Sequence, residues 1–240
     1  MPEPRAEGEP SMSAQIITVA QHKGGAGKTT LAAHLAASWA EAGRRVALLD
    51  TDPQTSLGVW YGQRQSGMGR RAQPLAYAVA SGWHVRSELD RLSRISDLVL
   101  VDTPPGSGLD IRTSLKSSAA VLVPVQPSPL DLWATQAVLD EIRREGSRSL
   151  IVLTRVPARA RLTAEVVAEI ARLQTSIAEA RLGNRTAYAA TLAVGASVAD
   201  WAIQDEPWCV EAAREIRNLS QEVFDFAEDR YASAAALVSA

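Results

Sequence analysis

The sequence predicts an α/β fold in which a doubly wound, mainly parallel sheet is flanked by helices. Short apolar runs alternate along the chain with stretches whose apolar residues recur at helical spacing. Such alternation is typical of parallel strands joined by helical crossovers. A glycine-rich turn follows the first apolar run, and acidic residues follow two later ones. Because ligands of these sheets bind beyond the carboxyl ends of the strands, the three turns predict one binding site.

The order of elements follows from the same patterns. Strands are predicted near residues 15–20, 45–50, 75–80, 97–102, 120–125 and 149–154. Helices are predicted near 29–43, 54–63, 84–94, 110–118, 131–145 and 162–178, with an amphipathic helix over 206–226. We expect one domain over residues 14–228, followed by a C-terminal tail over 229–240. Residues 1–13 are rich in Pro, Glu, Gly and Ser, which predicts a disordered tail.

The glycine-rich turn has the sequence Lys-Gly-Gly-Ala-Gly-Lys-Thr-Thr over residues 23–30, and it contains two of the chain's three lysines. Glycine allows the backbone to curl around an anion in conformations that a Cβ resists. The N-terminus of the following helix also attracts negative charge. Lys28 can reach the β- and γ-phosphates of a nucleotide, the Thr29 hydroxyl suits Mg²⁺, and the Thr30 hydroxyl suits the α-phosphate. The turn therefore predicts a nucleotide site.

This turn resembles the deviant Walker loop of the ParA/MinD family of P-loop ATPases. Lys23 occupies the position that distinguishes that loop, and His22 stands where the ordinary loop has glycine. Leu48–Gln54 and Leu98–Gly106 are similar to further stretches of the family, and Val123–Asp131 resembles the small ParA proteins of plasmid partition. The resemblance implies a P-loop NTPase fold of the deviant Walker type, with ATP and Mg²⁺ as ligands and no N-terminal helix-turn-helix domain. Because relatives begin just before their first strand, Met12 is an alternative start to Met1.

The resemblance also implies a role for each residue of the site. The expected catalytic residues are Lys23, Lys28 and Asp52, where Asp52 orients or polarises the attacking water. The expected nucleotide-binding residues are Lys23, Gly24, Gly25, Ala26, Gly27, Lys28, Thr29, Thr30 and Pro127. The expected metal residues are Thr29, Asp50 and Asp102, of which Asp102 holds the Mg²⁺ shell through water.

Lys23 is expected to act on a second subunit. In the family this lysine crosses a dimer interface to the partner's phosphates, so that two ATP molecules are held between two subunits. Such an arrangement couples dimerisation to the γ-phosphate and adds positive charge to the transition state. Gly24 would lie where the two loops approach most closely.

Charge is unevenly distributed, although the formal net charge is only −2. Residues 141–185 contain nine arginines and five acidic residues, whereas residues 200–230 contain nine acidic residues and three arginines. The basic stretch is either a solvated helix face or a weak surface for nonspecific DNA. The candidate DNA contacts are Arg155, Arg159, Arg161, Arg181 and Arg185.

The family resemblance therefore implies a ParA-type ATPase with slow intrinsic turnover. It would form a homodimer on ATP, bind nucleoid DNA, and segregate plasmid or chromosome DNA through a ParB-like partner that stimulates hydrolysis. The alternative cargo is a protein assembly such as a chemoreceptor cluster. A MinD-like membrane switch is disfavoured because residues 229–240 contain no lysine and lack a basic amphipathic pattern. The single cysteine, Cys209, and the absence of an apolar run of 18 residues predict a cytoplasmic protein, and the family resemblance implies association with the nucleoid.

Overall fold

The computed structural model describes residues 14–157, 168–170, 172–173, 175–201 and 206–238. Within these residues one parallel sheet has the strand order β3-β2-β4-β1-β5-β6-β7. Its strands are β1 (Gln15–Val19), β2 (Val46–Asp50), β3 (Leu75–Val79), β4 (Leu98–Asp102), β5 (Ala120–Val125), β6 (Ser149–Leu153) and β7 (Ser176–Ile177).

Helices connect the strands and continue beyond the sheet. They are α1 (Lys28–Glu41), α2 (Ser56–Gln63), α3 (His84–Ser93), α4 (Leu109–Ser117), α5 (Pro129–Arg144), α6 (Thr186–Leu192), α7 (Val198–Trp201) and α8 (Pro207–Val238). A π-helical turn over Arg64–Met68 and a 3₁₀ turn over Gly69–Arg71 extend α2. Among the described residues, none of the helices combines the length and apolar character needed to span a membrane.

The core lies on both faces of the sheet, because side chains of a strand alternate between its two faces. On one face, Leu48 and Leu100 pack with α1, α2 and α8. On the other face, Leu49 and Val99 pack with α3, and Val121 packs with α4 and α5. The sheet is therefore doubly wound, as the sequence predicts.

The six predicted strands are confirmed to within one or two residues, but the helix predicted over residues 162–178 is wrong at its end. Ser176 and Ile177 form β7 and pair with Leu150 and Ile151, although the pattern predicts helix through residue 178. A strand of two residues is too short to show a periodicity of its own. Residues 158–167, 171 and 174 of this region lie outside the described residues. The final helix, predicted over 206–226, continues to Val238, so most of the expected C-terminal tail is helical.

Strand register brings the predicted site together at one edge of the sheet. Val19, the last residue of β1, lies opposite Asp102, the last residue of β4. Asp102 in turn lies opposite Asp50, the last residue of β2. The three strands therefore end at the same level, and the glycine-rich turn leaves β1 beside both carboxylates.

Candidate nucleotide-binding site

The glycine-rich turn curls back at the N-terminus of α1. Gly25 has φ +73° and Gly27 has φ +95°, a left-handed conformation that favours glycine over any residue with a Cβ. The first N–H groups of α1, which starts at Lys28, have no acceptor within the helix and are available to an anion. The turn lines a cavity of about 630 Å³, together with Asp52, Gln54 and Pro105. Its backbone therefore has the conformation that a phosphate site requires.

Lys28 is buried at the base of this cavity. Its Nζ donates a hydrogen bond of 3.1 Å to the carbonyl oxygen of Gln21. Burial lowers the pKa of Lys28, while the negative charges of Asp102 and Asp52 act in the opposite direction. A buried ammonium group gains most from a ligand that brings negative charge, and the phosphates of a nucleotide supply it.

Asp102 and Thr29 fit a magnesium site. The Thr29 hydroxyl donates to Asp102 Oδ2 over 2.6 Å, and Asp102 is only 1% exposed. Asp102 Oδ1 is buried and has no hydrogen-bond partner among the described residues. Burial, assisted by the charge of Asp50, raises the pKa of Asp102 to about 7, against the Thr29 hydrogen bond and the charge of Lys28. A buried carboxylate oxygen without a partner, beside a hydroxyl group, suits a hard cation that keeps several of its waters.

Both carboxylate oxygens of Asp50 accept hydrogen bonds from other residues of the protein. Its Oδ1 accepts from the Asp52 backbone N–H over 3.0 Å, and its Oδ2 accepts from Gly58 N–H and the Tyr77 hydroxyl, each over 3.2 Å. Burial raises the pKa of Asp50, whereas these hydrogen bonds lower it. These contacts indicate that Asp50 holds the turn carrying Asp52, and its expected role at the metal remains a prediction.

Asp52 lies in the cavity and is half-buried. Its Oδ1 accepts from the Gln54 backbone N–H over 2.9 Å. One carboxylate oxygen is thus fixed by the turn, which orients the side chain. A carboxylate held in this way can position a water molecule.

Lys23 points away from the cavity that Lys28 occupies. It lines neither cavity of the site, and its Nζ lies 2.9 Å from Asp131 Oδ2 near the start of α5. The same carboxylate oxygen accepts a short hydrogen bond from the Ser128 hydroxyl, and Asp131 is only 2% exposed. Lys23 itself is 39% exposed. In the single chain, therefore, Lys23 is bound to α5 of its own subunit.

A second cavity of about 390 Å³ adjoins the first and is suited to the base of a nucleotide. Ala26, Gly27 and Thr30 line both cavities, so the two form one continuous site. Thr154 and Asn184 line the far side of the second cavity. Asn184 supplies the one carboxamide among its described lining residues, and a carboxamide can read the hydrogen-bonding edge of a base.

Sequence reasoning missed Asp131 and Asn184. Asp131 stands three residues after Ser128, a spacing typical of a helix cap, which gave no sign of its contact with Lys23. Asn184 lies in a loop between Gly183 and α6, where the sequence shows no periodic pattern. Pro127, an expected nucleotide-binding residue, is buried and is absent from the described lining of both cavities.

The expected DNA-binding arginines occupy different environments. Arg181 is exposed, whereas Arg155 lines both cavities with φ +50° and is better placed for the nucleotide. Arg185 lies 2.7 Å from Glu215 Oε1, so its charge is already neutralised. Arg159 and Arg161 lie outside the described residues. DNA contact by this set remains a prediction, and Arg181 is its best-placed described member.

The fold and the curled turn define a P-loop protein that binds nucleotides. The sequence profile of the CobQ/CobB/MinD/ParA nucleotide binding domain matches residues 17–194, and the chain belongs to this family. This match confirms the resemblance of the sequence motifs.

Individual relatives agree with the family assignment. The chain is 30% identical over 222 residues to Maintenance of carboxysome distribution protein A of Halothiobacillus neapolitanus, covering 89% of this chain and 98% of that protein. It is 28% identical over 203 residues to Chromosome partitioning protein ParA of Myxococcus xanthus, covering 65% and 70% respectively. The fold matches the septum site-determining protein MinD of Pyrococcus horikoshii complexed with Mg-ADP, with a TM-score of 0.71, 20% identity, and coverage of 90% and 98%.

Replacing Asp102 tests the magnesium site. Asp102→Asn keeps an acceptor for Thr29 but removes the negative charge, so the Mg²⁺ concentration that gives half-maximal ATP binding should rise about tenfold or more. ATP binding in EDTA should not change, because the backbone of the turn remains intact. Fluorescence titration with labelled ATP measures both quantities. Asp90→Asn, an exposed change on α3, is the control, and an equal Mg²⁺ requirement in both variants would contradict the assignment.

Proposed function

We propose that this chain is a ParA-type positioning ATPase whose ATP-bound form is a dimer. The proposal rests on the different positions of the two lysines of the glycine-rich turn. Lys28 lies at the base of its own phosphate cavity, whereas Lys23 lies outside the lining of both cavities. A lysine that does not contact the nucleotide of its own subunit can contact a nucleotide that is bound to a second subunit.

Several residues at the cavity would contribute to hydrolysis. Lys28 and the N-terminus of α1 hold the phosphates, and Asp52 orients the attacking water. Thr29 would hold Mg²⁺ directly and Asp102 would hold it through water, and the ion would supply positive charge to the phosphates. Lys23 of the opposite subunit then adds positive charge as the γ-phosphate leaves. Turnover is slow until a partner protein improves the position of these groups.

Repeated binding of the dimer to DNA and its release would move a cargo. The ATP-bound dimer binds nucleoid DNA nonspecifically, and hydrolysis stimulated by a cargo-bound partner releases it. A ParB-like partner would make plasmid or chromosome DNA the cargo, in agreement with the relative named for chromosome partitioning.

A protein assembly is the second candidate cargo. The relative named for carboxysome distribution matches over 98% of its own length, more than the chromosome-partitioning relative does. The genes beside this one distinguish the two candidates: a ParB-like gene favours DNA, and genes for a protein assembly favour the second cargo.

Gly24→Val tests the dimer at its closest approach. A Cβ built at Gly24 has no neighbour within 4 Å, so valine fits the single chain and ADP binding should survive. In the dimer the two turns would collide, and ATP should no longer produce the dimeric mass. Mass photometry with ATP and with ADP measures the outcome.

Gly62→Val is the matched control, because a Cβ at Gly62 also has no neighbour within 4 Å and Gly62 lies in α2. The control should dimerise on ATP. A Gly24→Val protein that dimerises equally well would contradict the proposed interface.

Asp131→Asn tests the contact that holds Lys23 in its own subunit. The amide keeps the shape of the side chain and can still accept a hydrogen bond from Ser128, but it no longer attracts the ammonium group. The ATP concentration that gives half-maximal dimerisation should therefore fall severalfold. Sedimentation across an ATP titration measures the shift. Asp140→Asn, on the exposed side of α5, is the control, and an unchanged midpoint for Asp131→Asn would show that the contact does not restrain Lys23.

DNA binding should require ATP and fall steeply with salt, since phosphate contacts release counterions. Arg181→Ala should weaken retention of duplex DNA in the presence of a non-hydrolysable ATP analogue. Arg172→Ala is the control within the same basic stretch, because Arg172 already pairs with Glu169. Filter binding gives the comparison, and equal retention with and without the analogue would contradict the DNA step.

A further inference from the structure

The outer edge of β3 is free of any neighbouring strand among the described residues. Ala80 N–H donates to the Asp50 carbonyl of β2 over 3.1 Å. Backbone groups alternate in direction along a parallel strand, so the N–H and C=O groups of Leu75, Tyr77 and Val79 face outward. In agreement, the outward carbonyl of Leu75 accepts from the Tyr61 hydroxyl over 3.1 Å.

A cavity of about 720 Å³ opens along this edge. Tyr61 and Gln65 line it from the side of α2 and its extension, and Leu92 and Ile95 line it from the side of α3. Because α2 and α3 cover opposite faces of the sheet, a cavity that both reach must lie at the edge between them. Its floor is the first half of β3, including Tyr77. An extended chain placed here would meet the outward backbone groups of Tyr77 and Val79 together with apolar side chains.

The charge of the cavity selects for an acidic occupant. Arg71 and Arg91 line it and are exposed, and no carboxylate is among its described lining residues. Arg91 pairs with Glu88, but Arg71 makes no ion pair within the described part of the chain. The buried Arg64 also lines the cavity, and it is neutralised by Asp200.

Apolar side chains continue the surface past the end of the strand. Val79 is 53% exposed, and Trp83 in the following turn is 85% exposed. A large aromatic side chain this open to water is typical of a contact with another protein. These residues can receive apolar side chains of a segment whose acidic part lies beside Arg71.

We propose that the free edge of β3 binds an extended acidic peptide of a partner protein as an added strand. The site also has a route to the catalytic residues. Tyr77 lines the cavity, and its hydroxyl donates to Asp50, which accepts from the backbone of Asp52. A bound strand therefore adjusts the position of Asp52 through two hydrogen bonds. This route rests on the proposed function, whereas the peptide site does not.

The experiment begins with selection from a library of random peptides of about eight residues displayed on phage, with the intact chain as bait and no nucleotide present. Selected peptides should be rich in Asp, Glu and β-branched residues, and should lack proline in their centre. A fluorescein-labelled peptide made from the selected consensus is then titrated with variants by anisotropy. Omitting nucleotide separates this readout from dimerisation and from hydrolysis.

Val79→Pro is the decisive variant. It removes the outward N–H while leaving the pairing of β3 with β2, and proline is tolerated on edge strands. Affinity for the peptide should fall about tenfold. Val79→Ala keeps the N–H and serves as the control for the lost side chain. Circular dichroism melting of both variants confirms that each is folded.

Charge reversal supplies the second comparison. Arg71→Glu should weaken the same peptide about tenfold, and Arg86→Glu, on the exposed side of α3 and outside the cavity, should not. The proposal fails if no peptide is enriched, if the enriched peptides are basic, or if Val79→Pro and Val79→Ala bind equally. Loss of DNA binding, with peptide binding unchanged, in Arg71→Glu would instead assign the surface to nucleic acid and overturn the proposal.

Tyr77→Phe tests the route to Asp52. The ring can still stack on Tyr61, whose ring centroid lies 4.8 Å away, so the peptide should bind as before. Without the hydroxyl group, the change in ATP turnover that the peptide causes in the unmodified chain should disappear. An equal response to the peptide in both proteins would overturn the route and leave the binding site standing.

Discussion

The site depends on the parallel pairing of β1 and β4, which places a buried ammonium group beside a buried carboxylate. The register of Val19 with Asp102 brings the glycine-rich turn to the end of β4. Lys28 and Asp102 are both buried and lie close enough for their charges to interact, and burial opposes the charged form of each. A triphosphate with Mg²⁺ would relieve both penalties, since its anionic oxygens would suit the ammonium group and the hydrated cation would suit the free carboxylate oxygen.

The two lysines of the turn show how one short motif can serve two purposes. Lys28 points toward the sheet and is held by the carbonyl of Gln21, while Lys23 points toward α5 and is held by Asp131. Lys23 is partly exposed, so water can solvate its ammonium group when it leaves, and the Ser128 hydroxyl still donates to the buried carboxylate of Asp131. The turn thus binds a nucleotide with one charge and keeps the other available at the surface.

The features of the site that the sequence predicted lie within short stretches of the chain. A glycine turn with its lysines, and apolar strands that end in aspartates, are read within about ten residues. Contacts between segments that are far apart in the sequence could not be predicted from such short patterns. Lys23 and Asp131 are 108 residues apart, and Asn184 lines the second cavity from a loop beyond β7. The two-residue strand β7 was missed because its partner in β6 determines its conformation more than its own sequence does.

The central claim is that the γ-phosphate joins two copies of the chain. The most direct measurement is the mass of the Asp52→Ala protein, which should bind ATP without consuming it, in saturating ATP and Mg²⁺. Multi-angle light scattering should give the mass of a dimer with ATP and of a single chain with ADP. A single-chain mass under both conditions, with bound ATP verified in the same peak, would contradict the account.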